Sequence, residues 1–226
     1  MPEQGFYNLF IMSQSNQISK AVISRLPRYY RYLRELIEAG TERISSEELS
    51  RLMKATASQI RQDLNHFGGF GQQGYGYNVK SLYNEIGKIL GVEEVHDLIV
   101  VGAGNLGRAI VRYKGFGAHG FHFCALFDID ETLCGKTING VRVYHTDELE
   151  SFVLNNNVDI VALTIPTDGA LKVSKKLYEL GIRYFWNFAH TDLELPGDAI
   201  VKNVHLLDSL LELSFTVSRS KIKEEE

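Results

Sequence analysis

The sequence predicts a mixed α/β protein of two domains, and three observations lead there. Two short helices announce themselves by their first residues, at Ser45 and Thr56, and are followed by a run of glycines and aromatics. From Asp97 onward, apolar strand-like runs alternate with helical ones. Between the first such strand and its helix stands a glycine pattern, Gly102 to Gly107. The length of 226 residues suits one large domain or two small ones. Hydrophobic residues at 44% and charged residues at 23% exclude a disordered or fibrous chain. No apolar run reaches the ~18 residues of a membrane span, and Leu98 to Val111 is interrupted by glycines and Arg108. Met1 to Ser19 lacks the layout of a secretory signal, so a cytoplasmic location is expected. Cys124 and Cys134 are too few for a Cys-rich metal site and read as thiols, so no metal is expected.

Residues 1–90 hold eleven Lys and Arg against eight Asp and Glu, a net of +3, and the remainder carries −7. A mildly basic front half on an acidic back half points to domains with different partners, although +3 is well short of a strongly basic nucleic-acid footprint.

Residues 1–17 are polar, without a period, and read as a flexible tail. Ile18 to Ala39 follows a helical pattern, with Val22, Leu26, Tyr29, Leu33, Leu36 and Ile37 near one face. Pro27 is expected to divide it into a lead-in and a main helix, and Gly40 to stop it. Ser45-Ser46-Glu47-Glu48 is a capping box, and Thr56-Ala57-Ser58-Gln59 is a second, with glutamine in the return position. The helices they start run to about Met53 and about Phe67. Two capped helices with a tight turn between them, after a longer helix, make a helix-turn-helix unit. Gly68 to Tyr77 holds five glycines interleaved with aromatics and reads as a β-hairpin, the wing of a winged helix, with a solvated loop as the alternative. Val79 to Leu90 is a connecting helix, which closes a domain at 18–90.

Residues 91–203 read as a parallel sheet covered by helices, a Rossmann-like domain. Its strands are Leu98 to Val101, His122 to Phe127, Val141 to Tyr144, Ile160 to Thr164 and Tyr184 to Asn187. Its helices are Asn105 to Tyr113, Glu148 to Leu154 and Gly169 to Leu180. A C-terminal helix occupies residues 204–217, with Leu206, Leu207, Leu210, Leu211, Leu213 and Phe215, before a charged tail at 218–226. A helix so apolar needs cover, and a partner subunit is a natural source.

Gly102-Ala103-Gly104-Asn105-Leu106-Gly107 leaves a strand and enters a helix, which is the context that gives a GxGxxG pattern meaning. Gly102 permits the turn, Gly104 lets backbone approach a pyrophosphate, and Gly107 allows close helix-to-strand packing. Asp128, 21 residues after Gly107, ends the next strand. A carboxylate there accepts from ribose hydroxyls and repels a 2′-phosphate, which favours NAD+/NADH, with Asp130 as the alternative. A dehydrogenase also needs a proton donor over the nicotinamide. No tyrosine has a lysine four residues on, and His119, His122, His145, His190 and His205 are scattered, none with both an evident Asp partner and a substrate-binding arginine. The cofactor reads as sensed rather than consumed, so no enzyme activity is expected. The rival readings are a small NAD-dependent oxidoreductase with an accessory helical domain, and a DNA-binding protein with a vestigial nucleotide domain.

The chain resembles the Rex family of redox-sensing transcriptional repressors across roughly residues 18–217. The resemblance rests on Ile23-Ser24-Arg25-Leu26-Pro27-Arg28-Tyr29-Tyr30-Arg31, Ser45 to Leu49, Ser58-Gln59-Ile60-Arg61-Gln62-Asp63-Leu64, Gly74 to Val79, Val101 to Gly107 and Asn187-Phe188-Ala189. It implies a homodimer, with the C-terminal helix swapped between subunits, that binds palindromic operator DNA under NAD+ and leaves it under NADH. DNA-contact candidates are Ser58, Gln59, Arg61 and Gln62 on the recognition helix, with Gln72, Gln73 and Tyr75 on the wing. Arg61 reads as either a phosphate anchor or a structural partner of Asp63. Thr164, Pro166, Phe188 and Tyr113 join the glycine run and Asp128 as nucleotide-pocket candidates. Switch candidates are Arg31, Tyr113 and His205, with Asp208 one turn on. The family usually carries lysine at Gln62, a basic residue at Gln73 and, in many members, an acid at His205.

Overall fold

The computed structural model describes residues 19–65, 71–72 and 75–224, and the chain divides into two compact units, residues 1–94 and 95–226. The expected tail, Gln73, and the glycines at 68, 69 and 74 lie outside the described residues.

In the first unit, α1 (Lys20–Glu38) starts at Ser19, whose hydroxyl accepts from the Val22 N–H at 3.3 Å. Val22, Leu26, Tyr29 and Leu33 recur at helical spacing, and all are buried. The helix runs unbroken through Pro27, against the expected division. The carbonyl that loses its amide donor belongs to Ile23, which is 40% exposed, so water can serve it. Gly40, at φ +74°, ends the run.

A two-residue strand, β1 (Arg43–Ile44), precedes α2 (Ser46–Met53). The first capping box is complete: Ser45 Oγ accepts from the Glu48 N–H at 3.1 Å, and Glu48 accepts from the Ser45 N–H at 2.8 Å. The second is half made. Thr56 Oγ1 accepts from the Gln59 N–H at 3.1 Å, but the Gln59 amide turns forward and donates to Asp63 at 2.8 Å. That box opens α3 (Ala57–Asn65).

β2 (Gly71–Gln72) and β3 (Gly76–Asn78) pair antiparallel, with Gly71 opposite Tyr77, so the described residues of the glycine–aromatic run pair as the two arms of a hairpin. β3 also pairs with β1. At Gly76, φ is +70° and a Cβ would lie 2.6 Å from the Ile44 carbonyl oxygen, which leaves room only for glycine. Asn78 then caps α4 (Val79–Ile89), which packs on α1 with Tyr30 and Tyr83 stacked at 4.2 Å. The core joins Leu26, Leu33, Leu49, Ile60, Leu82 and Ile86 from all four helices.

The second unit is one sheet in the order β10-β9-β8-β4-β5-β7-β6. Its strands are β4 (His96–Val101), β5 (Phe121–Asp128), β6 (Thr137–Ile138), β7 (Val141–His145), β8 (Ile160–Leu163), β9 (Tyr184–Asn187) and β10 (Ile200–Asn203). All pairings are parallel except β6 with β7. Without β6, the parallel strands counted along the chain run 3-2-1-4-5-6, the Rossmann order, with its switch point between β4 and β8. β6 and β10 were not expected; both are short edge strands, and β10 includes Lys202 and Asn203.

Helices α5 (Asn105–Arg112), α6 (Leu149–Asn155) and α7 (Thr167–Glu179) cover the sheet. Val100, Leu126 and Ala162 cluster with Val111 of α5 on one face, while Ile99, Phe127 and Val161 cluster with Leu149, Val153, Ala170 and Leu177 on the other. This alternation is why β4 reads as continuously apolar. The last helix, α8 (Leu206–Glu224), continues through most of the expected charged tail, since no Gly or Pro interrupts it. Its leucines and Phe215 are 47–65% exposed within the chain.

Candidate functional site

The glycine turn sits at the carboxyl end of β4. Gly102 has φ +104°, and a Cβ there would lie 2.7 Å from the Thr164 carbonyl oxygen. A Cβ at Gly107 would collide with the Gly102 carbonyl, so α5 packs directly on the turn. At Gly104 a Cβ would meet nothing within 4 Å. Open space therefore adjoins the start of α5, whose first amides have no carbonyl partner one turn earlier. Ala103, Asn105 and Leu106 complete this anion-facing turn, with Asn105 Oδ1 accepting from Arg108 at 2.8 Å.

Asp128 ends β5 beside this turn. Its Oδ2 accepts from the Ala103 N–H at 2.6 Å and its Oδ1 from the Asp130 N–H at 2.9 Å. Each carboxylate oxygen keeps a lone pair for another donor such as a ribose hydroxyl. Asp130 instead closes a local turn, accepting from the Thr132 N–H at 2.9 Å. Of the two acids, Asp128 is the one tied to the glycine turn. The open cradle at Gly104, the free helix amides and this carboxylate fit the ADP half of a dinucleotide.

Across the switch point, the Thr164 hydroxyl donates to the carbonyls of Val101 at 3.1 Å and Gly102 at 2.8 Å, so its proton is engaged by the turn. Pro166 is exposed and precedes α7. The Phe188 N–H donates to the Leu163 carbonyl at 2.9 Å. The sequence reading quoted Asn187 only as part of a motif. It is fully buried, donates to the Thr191 carbonyl at 2.7 Å and to Asn203 at 2.9 Å, and fixes the chain on either side of Phe188. An aromatic chain, Tyr113–Phe116–Trp186–Phe188, has centroid separations of 5.0, 5.5 and 4.6 Å. Tyr113 lies one helix length, ~12 Å, from the glycine turn, and is 64% exposed.

Two histidines have aspartate partners: His122 lies 2.8 Å from Asp97, and His145 lies 3.2 Å from Asp147. Neither stands at the ends of β8 and β9. His122 belongs to the amino edge of the sheet, and His145 pairs in register with Asp128 on the adenosine side.

On α3, Ser58, Arg61, Gln62 and Asn65 are exposed at helical spacing, opposite the buried Ile60, Asp63 and Leu64. Asn65, which the sequence reading did not single out, completes the stripe two turns after Ser58. Gln59 is drawn inward by Asp63 and does not share that stripe. The Arg61 guanidinium meets Ser46 at 3.0 Å and Glu47 at 3.1 Å rather than Asp63. Asp63 instead takes a bidentate pair from Arg25, at 2.6 and 2.7 Å, and a bond from Tyr29 at 3.0 Å. Tyr75 at the hairpin tip is 70% exposed, and Gln72 pairs with Gly76 through its backbone.

The switch candidates are spread over both units. Arg31 is exposed on α1, with its guanidinium over the Tyr32 ring at 5.2 Å. His205 stands edge-on to His190 at 5.7 Å, and its Nδ1 is buried without a partner among the described residues. Asp208 is exposed in the first turn of α8.

A family model described as "Putative DNA-binding protein N-terminus" matches residues 17–65, and one described as "CoA binding domain" matches residues 93–191. Over 210 residues the chain is 51% identical to the redox-sensing transcriptional repressor Rex of Clostridioides difficile (strain 630), covering 93% of this chain and 100% of that one. The chain belongs to the Rex family. Rex of Caldicellulosiruptor bescii is 47% identical over 214 residues, covering 95% of this chain and 99% of its own. The crystal structure of RSP with β-NAD+ and operator DNA, at 49% identity, has a TM-score of 0.85 and covers 92% of this chain and 96% of that one. RSP with β-NADH, at 46% identity, has a TM-score of 0.84, covering 92% and 98%. These Rex relatives are named as transcriptional repressors rather than as enzymes. Among the described residues, no helix is long and apolar enough to cross a membrane.

Proposed function

We propose that this Rex-family member is a cytoplasmic repressor that reads the NADH/NAD+ ratio, holding operator DNA with NAD+ or no nucleotide bound and losing affinity for it when the site holds NADH. The observation that carries this reading is the open amino end of α5 at Gly104, with Asp128 beside it, in a chain whose other unit exposes a polar stripe on α3. Gly102 to Gly107 and Asp128 hold the ADP half of the nucleotide. Thr164 sets the turn, and Pro166, Phe188 and Tyr113 belong to the nicotinamide half. Ser58, Arg61, Gln62 and Asn65 face the major groove, with Gln72, Gln73 and Tyr75 of the wing on the flanking backbone. Gln59 positions Asp63.

The functional unit is a homodimer on a palindromic operator. Seven apolar side chains of α8 are exposed within one chain, and burying a Leu or Phe contributes roughly 1.5–3 kcal/mol. A swap of this helix onto the partner subunit covers them. Arg31 and Tyr113, with His205 or Asp208, carry the signal. Operator binding by Asp208→Asn and His205→Ala, with and without NADH, separates the two, since only the variant that removes the signalling side chain loses its response to NADH.

The deciding experiment is a fluorescence-anisotropy titration of palindromic duplexes without nucleotide, with NAD+ and with NADH. A coupling of ~1.4 kcal/mol or more weakens operator binding at least tenfold under NADH. Equal affinity in all three conditions refutes the reading.

A further inference from the structure

β5 carries an irregularity that the nucleotide site does not use. Against β4 its register runs Asp97–His122, Leu98–Phe123, then Ile99–Ala125, so Cys124 is an extra residue. A bulge of this kind re-aims side chains. Cys124 and Ala125 consequently turn toward the same apolar cluster. The Cys124 sulfur lies 3.3 Å from Asp97 Oδ1 and 3.6 Å from His122 Nδ1, and Asp97 Oδ1 lies 2.8 Å from His122 Nδ1.

We propose that Asp97, His122 and Cys124 form a binding site for Zn2+ at the amino edge of the sheet, with the fourth position open to solvent. A tetrahedral zinc with O and N ligands near 2.0 Å and sulfur near 2.3 Å sets donor separations of roughly 3.3 Å for O to N and 3.5 Å for sulfur to either. Both sulfur edges of the triangle match to a few tenths of an ångström. The O–N edge opens by about half an ångström as a hydrogen bond gives way to two metal bonds. His122 can make that movement because its side chain is 66% exposed, and the same exposure leaves the fourth vertex to water.

The charges also balance. A carboxylate, a thiolate and a neutral imidazole offset a doubly charged cation, so the three ligands and the ion together are neutral. Metal uptake breaks the Cys124 S–H bond, forms the S–Zn bond and releases the proton to solvent. Asp97 is held from behind, its N–H donating to the Asp159 carboxylate at 2.8 Å and its carbonyl accepting from the Asp159 N–H at 2.9 Å. A thiolate in the set selects Zn2+ over Mg2+ or Ca2+. The five residues Asp97 to Val101 of β4, roughly 16 Å at ~3.3 Å per residue, separate this site from the glycine turn.

The test uses the purified full-length protein. Zn2+ is titrated against a chromogenic chelator, and Co2+ is added in parallel as a spectroscopic probe. One ion per chain is expected, with tetrahedral d–d bands and a thiolate-to-cobalt charge-transfer band in the near ultraviolet. Cys124→Ser removes the charge-transfer band, and His122→Ala, at an exposed position, weakens Zn2+ uptake at least about tenfold. Circular dichroism and a cooperative melt establish that both variants fold. Uptake of less than one ion per chain by the unmodified protein overturns the proposal. So does a charge-transfer band that survives Cys124→Ser, or a Zn2+ affinity that His122→Ala leaves unchanged.

Discussion

Asp63 is fully buried, and its carboxylate accepts from Arg25, Gln59 and Tyr29. Burial by itself pushes this carboxyl up, but the bonds from Arg25, Gln59 and Tyr29 together hold it below the ordinary carboxylate range. Its stabilising contribution is therefore complete above the unfolded value near ~3.9 and is lost as pH falls through the lower folded value. Asp63→Asn leaves the Arg25 guanidinium without its counter-charge. A fully buried pair broken this way costs roughly 3–5 kcal/mol, and with Arg25 35% exposed about 2–3 kcal/mol is expected. Urea unfolding at neutral pH measures that loss, and repeating it below pH ~4 should find variant and parent converging. At Asp128 the stake is selectivity. Asp128→Ala removes the acceptor for ribose hydroxyls and the repulsion of a 2′-phosphate, so NADH binding weakens by roughly one to two orders of magnitude, as for bonds to a charged group. Its advantage over NADPH narrows, and calorimetric titration with both nucleotides reads the two changes together.

At the scale of the element, α3 shows how one helix divides its labour. Ile60, Asp63 and Leu64 hold it to the core, while Ser58, Arg61, Gln62 and Asn65 stand free of it on the opposite side. Arg61 leans on Ser46 and Glu47 at the start of α2, an exposed pair that contributes little to stability. Arg61→Ala should leave the melting temperature nearly unchanged, weaken every operator alike and lower the slope of log K against log salt by about one. Gln62→Lys should instead change which bases are preferred, because an amide pairs bidentately with adenine and an ammonium favours guanine. Operator titrations at several salt concentrations, on duplexes differing at single positions, separate the two effects.

For the whole molecule, the arrangement of α8 is the feature with the largest consequence. Its leucines and Phe215 are exposed within one chain, and no described side chain of Leu206 to Ser220 is buried. Leu207→Lys combined with Leu211→Lys places two charges one turn apart on a single face. If α8 makes the proposed dimer, sedimentation velocity should find the unmodified chain as dimer and the double variant as monomer. Operator affinity should fall with it, because one subunit occupies a single half-site.

The sequence alone determined the elements whose physics is local. The Ser45 box and the stop at Gly40 depend on contacts within a few residues of the chain, so residue type and spacing sufficed; Gly76 and Gly102 were legible as turn glycines, although the carbonyls that leave no room for a side chain there belong to the distant Ile44 and Thr164. Asp128 was legible for a related reason, since it is the first charged residue after the apolar run Phe123 to Phe127. Other features were decided by distance along the chain. Pro27 could stay inside α1 only because the face carrying Ile23 meets solvent. Gln59 left its capping box because Asp63, anchored by Arg25 from another helix, offered a stronger acceptor. β6 and β10 exist because an edge was there to pair with. The triangle of Asp97, His122 and Cys124 needed two strands in register and a bulge of one residue to bring its three donors together. Two cysteines counted along a sequence hold no trace of that, because side chains converge through tertiary pairing and not through spacing.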